Sequence, residues 1–386
     1  MSKLDELIAE LCPDGVEFVP LKQIAEVGTG SSDRVNAVED GKYPFYVRSK
    51  TIYRSNRYLF DEESIVIPGE GGIGDIFHYV NGKYDLHQRA YRIHFIDRLV
   101  DTKFAYHYLS ANFKKFILMK AVNATVTSIR KPMIQDFPFP LPPLPVQQEI
   151  VRILDKFTEL TTQLTAELKA EIEARKKQYE YYRDWLLSQE ELNRLCPDGV
   201  EYVSIGNVVN YEQPSKYIVK STDYSDEFSI PVLTAGQSFI LGYTNEIDNI
   251  YKASKENPVI IFDDFTGAFK WVDFPFKVKS SAIKMLTANS DIATLRYIYH
   301  VMGNIGYSSD EHKRLWISIY SAIKIPVPPL PVQQKIVRIL DNFTELIAQL
   351  ETELEARQKQ YEYYRDKLLT FPARSKDVKE SKEATV

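Results

Sequence analysis

Cysteine is nearly absent from this chain, with only Cys12 and Cys196 among 386 residues. A disulfide framework is therefore excluded, and two reduced thiols fit the composition better than a single bridge. No apolar run approaches the roughly 20 residues that span a bilayer. The opening Met1-Ser-Lys-Leu-Asp-Glu has neither the basic start nor the apolar core of a signal peptide. The expectation is a cytoplasmic protein with no membrane partner. Positive charge is not in excess either: 48 Lys and Arg stand against 53 Asp and Glu, a net charge of −5. That balance counts against a simple basic DNA-coating protein, so any nucleic-acid surface must be local.

Catalytic and cofactor motifs are missing as well. There is no G-x-x-x-x-G-K-[ST], which excludes a P-loop nucleotide site. No Asn-Pro-Pro-Tyr-like element is present to hold a flipped adenine. Gly69-Glu-Gly71-Gly-Ile-Gly74 satisfies the letter of a dinucleotide fingerprint, but the residues after it read as another strand. Without a following helix no N-terminal dipole can hold a pyrophosphate, so a turn is expected there. The six histidines (His78, His87, His94, His107, His300, His312) lack H-E-x-x-H or zinc spacing. Four fall in the first half and two in the second, which reads as satisfied or surface histidines, not a duplicated site. Pro13-Asp14 with Glu17, and Pro197-Asp198 with Glu201, lack the lysine a nuclease carboxylate pair would need. No catalytic constellation, metal set or cofactor site is expected on this chain.

What the chain does have is repetition. Leu144-Pro-Val-Gln-Gln-Glu-Ile-Val-Arg-Ile-Leu-Asp-Lys-Phe-Thr-Glu-Leu160 returns at Leu330–Leu346 with changes only at Glu149/Lys335 and Lys156/Asn342. Lys177–Asp184 returns unaltered at Lys359–Asp366, and Leu11–Phe18 returns at Leu195–Tyr202 with one change. Between these blocks lie long stretches that barely resemble each other. Constant frames around dissimilar inserts suggest one scaffold presenting two binding surfaces.

The repeated blocks read as helices. Ile150, Ile153, Leu154, Phe157, Leu160, Leu164, Leu168 and Ile172 recur at steps of three and four, as do Ile336, Ile339, Leu340, Phe343, Leu346, Leu350 and Leu354. Prolines at 142, 143, 145 and at 328, 329, 331 mark each entry. A helix from Pro145 to Leu187 would be about 65 Å long at 1.5 Å per residue, and two such helices most simply bury their stripes against each other. The first copy carries one extra turn, since Leu160 precedes Lys177 by 17 residues and Leu346 precedes Lys359 by 13. The inserts read as mixed α/β: Tyr43 to Tyr58, Ser64–Pro68, Tyr91–Ile96 and Asn257–Phe262 as strands, Thr102 to Met119 and Thr294 to Met302 as helices.

Two stretches are free of acids in an acidic chain. Gly41 to Phe60 carries Lys42, Arg48, Lys50, Arg54 and Arg57 among Tyr43, Tyr46, Tyr53 and Tyr58. Thr102 to Gln135 carries Lys103, Lys114, Lys115, Lys120, Arg130 and Lys131. Phosphate neutralisation, with arginine available for guanine, gives such stretches a reason; a solvated basic face is the bland alternative. The second insert offers Lys270, Lys277, Lys279, Ser280, Ser281 and Lys284, then His312-Lys313-Arg314.

The frame from Pro140 to Asp155, with its second copy ending at Asp341, resembles the specificity (S) subunit of type I restriction–modification systems, and the likeness covers nearly the whole chain. The resemblance implies an α/β (α+β) fold of two target recognition domains joined by two long antiparallel helices in an intramolecular coiled coil with a pseudo-two-fold repeat. It places recognition domains at 1–140 and 191–328, conserved helices at 141–190 and 329–371, and a disordered tail at 372–386. It implies double-stranded DNA as ligand, each domain reading one half of a split site. Two modification (M) subunits would bring S-adenosylmethionine, and restriction (R) subunits would bring ATP and Mg. This chain would choose the site without catalysing anything, and its coil would set the distance between half-sites.

Overall fold

The structure, a computed structural model, describes residues 2–120, 128–235, 238–305 and 314–374. The chain forms two compact units, Met1–Glu167 with Glu353–Val386, and Leu168–Thr352. Most of the expected tail lies outside the described residues, but its first three do not behave as a tail. Pro372 O accepts from Val16 N at 2.9 Å, and Arg374 N donates to Val16 O at 3.0 Å, so 372–374 belong to the first unit.

The two units share a sheet despite their dissimilar sequences. In the first, Ala25–Thr29, Ala90–Phe95, Phe60–Pro68 and His78–Leu86 lie side by side in that order, all antiparallel. In the second, Val209–Glu212, Ile283–Ala288, Val259–Asp263 and Phe269–Val272 repeat the order and the senses. A hairpin then joins each. Tyr43–Tyr46 and Tyr53–Ser55 extend the first sheet, the former running parallel to the end of His78–Leu86. Ile230–Leu233 and Ile240–Thr244 do likewise beside Lys277–Val278. Here the fourth strand is interrupted between Val272 and Lys277, where Pro275 can donate no ladder hydrogen bond. The register sets Phe45 opposite Asp85 and Val232 opposite Lys277, so Asp85 and Lys277 are equivalent.

The repeated blocks form helices at Leu144–Leu186 and Leu330–Leu368, of 43 and 39 residues. Each contributes its first part to one unit and its second part to the other. In the first unit Phe157 stacks on Tyr361 and meets Tyr364 edge-on, with ring centroids 6.4 and 5.9 Å apart. In the second, Phe343 stacks on Tyr182 at 5.2 Å. The early block of one helix thus meets the late block of the other in both units, which is antiparallel packing. The apolar stripe is divided between two jobs. Val146, Ile150 and Leu154 are fully buried in the core of the first unit, as are Ile336 and Leu340 in the second. Such burial stabilises by about 1.5–3 kcal/mol per side chain. Leu160, expected in the seam, is 50% exposed.

A glutamine fastens each helix to its own unit. Gln147 is fully buried, donates to Pro142 O at 2.7 Å and Leu99 O at 2.8 Å, and accepts from Asp101 N at 2.8 Å. Gln333 repeats all three bonds with Pro328 O, Ile292 O and Thr294 N. The histidine expectation needs correction beside it. His107 Nε2 meets Asp155 at 2.9 Å and His300 Nε2 meets Asp341 at 2.8 Å, so two of the six histidines are a duplicated contact. A cation one turn earlier joins each carboxylate, Lys103 at 3.0 Å and Arg296 at 2.7 Å. These are satisfied histidines that fix an insert helix to a long helix.

Candidate nucleic-acid interface

The acid-free stretches are acid-free in sequence and not in space. Arg54 donates to the carbonyls of Gly41 and Lys42, closing its hairpin. Arg57 donates to Ser32 Oγ and lies 3.4 Å from the fully buried Asp85. Lys103 pairs with Asp155, Lys114 with Asp75 at 2.8 Å and Lys115 with Asp366 at 2.9 Å. The fold therefore brings in carboxylates that a window along the sequence does not see. Lys42, Lys50, Arg130 and Lys131 are exposed, and among the described residues none has a carboxylate partner. Lys120 has no described side chain.

The second unit corrects the sequence expectation more sharply. Lys277 is fully buried, 2.8 Å from Glu246 and donating to Asp248 O at 2.9 Å, so it cannot reach a ligand. Its charge balances Glu246 inside the unit, as Arg57 balances Asp85 in the first. Lys284 is equally buried, on Asp264 at 3.1 Å and Gln213 at 3.0 Å. Lys279 is half-buried against Tyr224. Lys270 and Arg314 remain exposed, while His312 and Lys313 lie outside the described residues.

A cleft in the first unit gathers what the sequence windows missed. It encloses about 310 Å³ between Arg34, Arg48, Tyr53, Glu70 and His87. Glu70 follows strand Phe60–Pro68, and Gly69 makes its position possible. Gly69 N donates to Arg89 O at 2.9 Å, and a Cβ there would stand 2.8 Å from that oxygen. Glu70 Oε2 accepts from Arg48 at 2.9 Å and Arg89 at 3.1 Å. The hydrogen bond from Arg89, with Arg48 behind it, holds the Glu70 carboxyl below the usual range against its partial burial. Arg34 lies 5.1 Å over the Tyr53 ring. His87 Nδ1 accepts from Arg89 N at 2.9 Å; burial, then the charge of Arg48, pushes its pKa down, so the ring is neutral with Nε2–H as a donor. Glu70, His87 and Arg89 lie outside both acid-free stretches. The only sequence signal for them was a lone acid in a glycine-rich loop, which does turn between two antiparallel strands as expected.

The equivalent place in the second unit is built from different residues. Asp264 N donates to Ala282 O at 2.8 Å as Gly69 N does to Arg89 O, and Leu315 N donates to Asp264 O at 2.7 Å as Ile129 N does to Gly69 O. Where the first unit places Glu70, the second places exposed Phe265, with Arg314 adjoining.

This duplicated fold with unlike surfaces agrees with comparisons to known proteins. The type I restriction modification DNA specificity domain matches twice, over residues 13–174 and 197–356. The chain belongs to that family, whose members are the non-catalytic specificity components of type I restriction–modification systems. It is 30% identical over 92% of its length, and 96% of the other's, to a Haemophilus influenzae protein named as a type I restriction enzyme specificity subunit. It is 56% identical to the EcoR124I/EcoR124II specificity subunit of Escherichia coli, over 45% of this chain and 46% of that one. Among solved structures, the S subunit of a type I restriction–modification system from M. genitalium matches at TM-score 0.50 and 19% identity, covering 92% of this chain and 95% of that one. A chain from a study of complex assembly in the type I system matches at TM-score 0.53 and 14% identity, over 92% and 98%. These last two likenesses concern the fold. No described helix is long and apolar enough to cross a membrane.

Proposed function

We propose that this chain selects the DNA site for a type I restriction–modification complex, each unit reading one half of a bipartite, asymmetric sequence. The observation that carries the reading is the shared strand order with different groups at one equivalent place, Glu70 in one unit and Phe265 in the other. A scaffold that repeats while its displayed residues diverge suits recognition of two unlike half-sites. The near-identical helix blocks suit two copies of one partner, the methyltransferase subunits, which would carry S-adenosylmethionine. Restriction subunits would carry ATP and Mg.

In this reading Lys42, Lys50, Arg130, Lys131, Lys270 and Arg314 contact DNA, and the chain has no catalysis of its own. The test is salt-dependent binding to mixed-sequence DNA by the chain alone and assembled with its methyltransferase subunits, beside methyl transfer from labelled S-adenosylmethionine. DNA binding in the assembly, with methyl transfer only when the partner is present, supports the reading. Methyl transfer by this polypeptide alone would refute it, and no DNA affinity in any assembly would leave a protein–protein adaptor instead.

A further inference from the structure

We infer that the first unit reads a base in its cleft through Glu70, whose free carboxylate oxygen accepts from an exocyclic amino group while Arg48 and His87 donate to acceptors beside it. This rests on the DNA-reading function proposed above and assigns one residue of the first unit to specificity. Adenine N6, cytosine N4 and guanine N2 all present that chemistry, and the experiment below tells them apart.

The cations around the cleft place it for DNA. Lys50 lies two residues beyond Arg48, and Arg130 and Lys131 follow Ile129, whose amide donates to Gly69 O at 2.8 Å. All three are exposed, with no carboxylate partner among the described residues. Free cations suit phosphates, which fix register, while sequence is read from base edges between them. The cleft itself does not suit a phosphate. Glu70 stands in its wall, held by Arg48 at 2.9 Å and Arg89 at 3.1 Å, and its negative charge would oppose the phosphate's own.

The same carboxylate suits a base edge. Its arginine partners keep it ionised, so it accepts and cannot donate. Both arginine bonds fall on Oε2, and Oε1 has no partner among the described residues. Such an oxygen repels the N7, O6 and O4 acceptors of a base and attracts only an amino hydrogen. In a base pair every exocyclic amino group has an acceptor beside it. Arg48 keeps donors beyond the one on Glu70, and His87, only 5% exposed, keeps its Nε2–H at the same wall. Arg89 does not line the cleft. It is a positioning residue, bonded to Glu70 through its guanidinium and to His87 Nδ1 through its amide at 2.9 Å. Because these bonds exist before any ligand arrives, less freedom is lost on binding.

The second unit supplies an internal control. At the equivalent place it carries Phe265, and its nearby Asp264 is turned inward to Lys284 and to the backbone of Trp316. The assignment therefore concerns one half-site only.

The experiment uses the complex of the full chain with its own methyltransferase subunits. Methylome mapping first gives the bipartite motif. Duplexes then carry, one position at a time, a base without its amino group: purine for adenine, 2-pyrimidinone for cytosine, hypoxanthine for guanine. Binding is compared for the natural sequence, Glu70→Ala, Glu70→Gln, Arg89→Ala and Phe265→Ala. At one position of one half-site the natural complex should lose roughly ten- to a hundredfold in affinity, and the analogue responsible names the base. That loss should vanish in Glu70→Ala, shrink in Glu70→Gln and Arg89→Ala, and persist in full in Phe265→Ala. Losses at the other positions of that half-site should be the same in Glu70→Ala as in the natural complex. If Glu70→Ala fails to assemble, Glu70→Gln, which keeps the side chain's size and an acceptor, carries the same comparison. A motif with no position whose loss depends on Glu70 overturns the inference while leaving the proposed function standing. So does equal weakening by the Glu70 variants on every duplex. A natural complex with no bipartite motif would remove the proposed function itself.

Discussion

Asp85 and Lys277 occupy the same position in the two units with opposite charge. Each is fully buried beside a hairpin, and each is balanced by a residue two places beyond that hairpin's last strand residue, Arg57 after Ser55 and Glu246 after Thr244. Even the turn is shared, with Arg57 N on Ser55 Oγ and Glu246 N on Thr244 Oγ1, both at 3.2 Å. A buried charge is tolerated only when it is paired, and here the pairing has survived with its polarity reversed.

Removing one member of such a pair should therefore cost stability and not recognition. Arg57→Ala and Glu246→Ala are each expected to destabilise their own unit by about 1–3 kcal/mol, the penalty of a buried polar group left short of a partner. Denaturant unfolding reads this. Lys277→Met should leave the salt slope of DNA binding as it was. A slope smaller by about one would return Lys277 to the interface.

The exposed cations behave in the opposite way. Lys50→Ala, Arg130→Ala and Lys131→Ala are each expected to weaken DNA binding by the assembled complex and to reduce the salt slope by about one, without moving the unfolding midpoint. Arg54, held on two backbone carbonyls, should report in unfolding experiments. If none of the three lysine and arginine variants alters the slope, the basic face is merely solvated.

His300 ties the second unit to pH. Its ring is buried, with Asp341 on Nε2 and the Tyr179 hydroxyl 3.0 Å from Nδ1, and Tyr299, Arg296 and Arg183 around it. Burial and the two arginine charges lower its pKa against the hydrogen bond to Asp341. The unfolded imidazole takes up a proton near pH 6.5 and the folded one only below that. Stability is thus fully present above about pH 6.5 and declines as pH falls toward the folded value. Asp341 acts in the same direction at lower pH: burial alone would raise its pKa, but His300 and Arg296 outweigh burial and hold it down. Unfolding measured between pH 7 and 5 should show this slope, and His300→Asn should flatten it. An equal slope in the variant would assign the pH dependence elsewhere.

The length of the helices is open to a direct test. Inserting four residues after Leu168 keeps the apolar stripe in phase to within about 40° and adds about 6 Å of rise. If the helices set the distance between half-sites, both half-site sequences should persist while the unread spacer grows by one or two base pairs at about 3.4 Å each. Two residues instead rotate the stripe by about 200° and should abolish assembly. Methylome mapping decides; an unchanged spacer with full activity would mean that the partner subunits fix the distance.

The long helices could be read from the sequence because their apolar residues recur at three and four over blocks that occur twice. The strands at Phe60–Pro68, Ala90–Phe95 and Val259–Asp263 were visible as β-branched and aromatic runs, but the order in which they pair was not, since strand order is decided by contacts far apart in sequence. Lys277 and Lys270 look alike in a list of cations; a fourth strand broken at Pro275 buries one and exposes the other. His107 and His300 were hidden by counting histidines in each half, although each follows a cation by four residues. The Arg48–Glu70–Arg89 cluster escaped because an acid-free window, by construction, omits the carboxylate that organises it.

The two buried glutamines have a consequence for how such a chain can change. Gln147 and Gln333 sit in blocks that are almost invariant between the halves, yet across the junction they touch only peptide groups, Leu99 O with Asp101 N and Ile292 O with Thr294 N. Peptide groups are the same whatever side chains they bear. The joint is therefore a socket indifferent to the identity of what is plugged into it. A foreign insert that presents one free carbonyl and one free amide at that place would satisfy the same glutamine, and only the Asp155 and Asp341 carboxylates would ask it for particular side chains, a histidine and a cation.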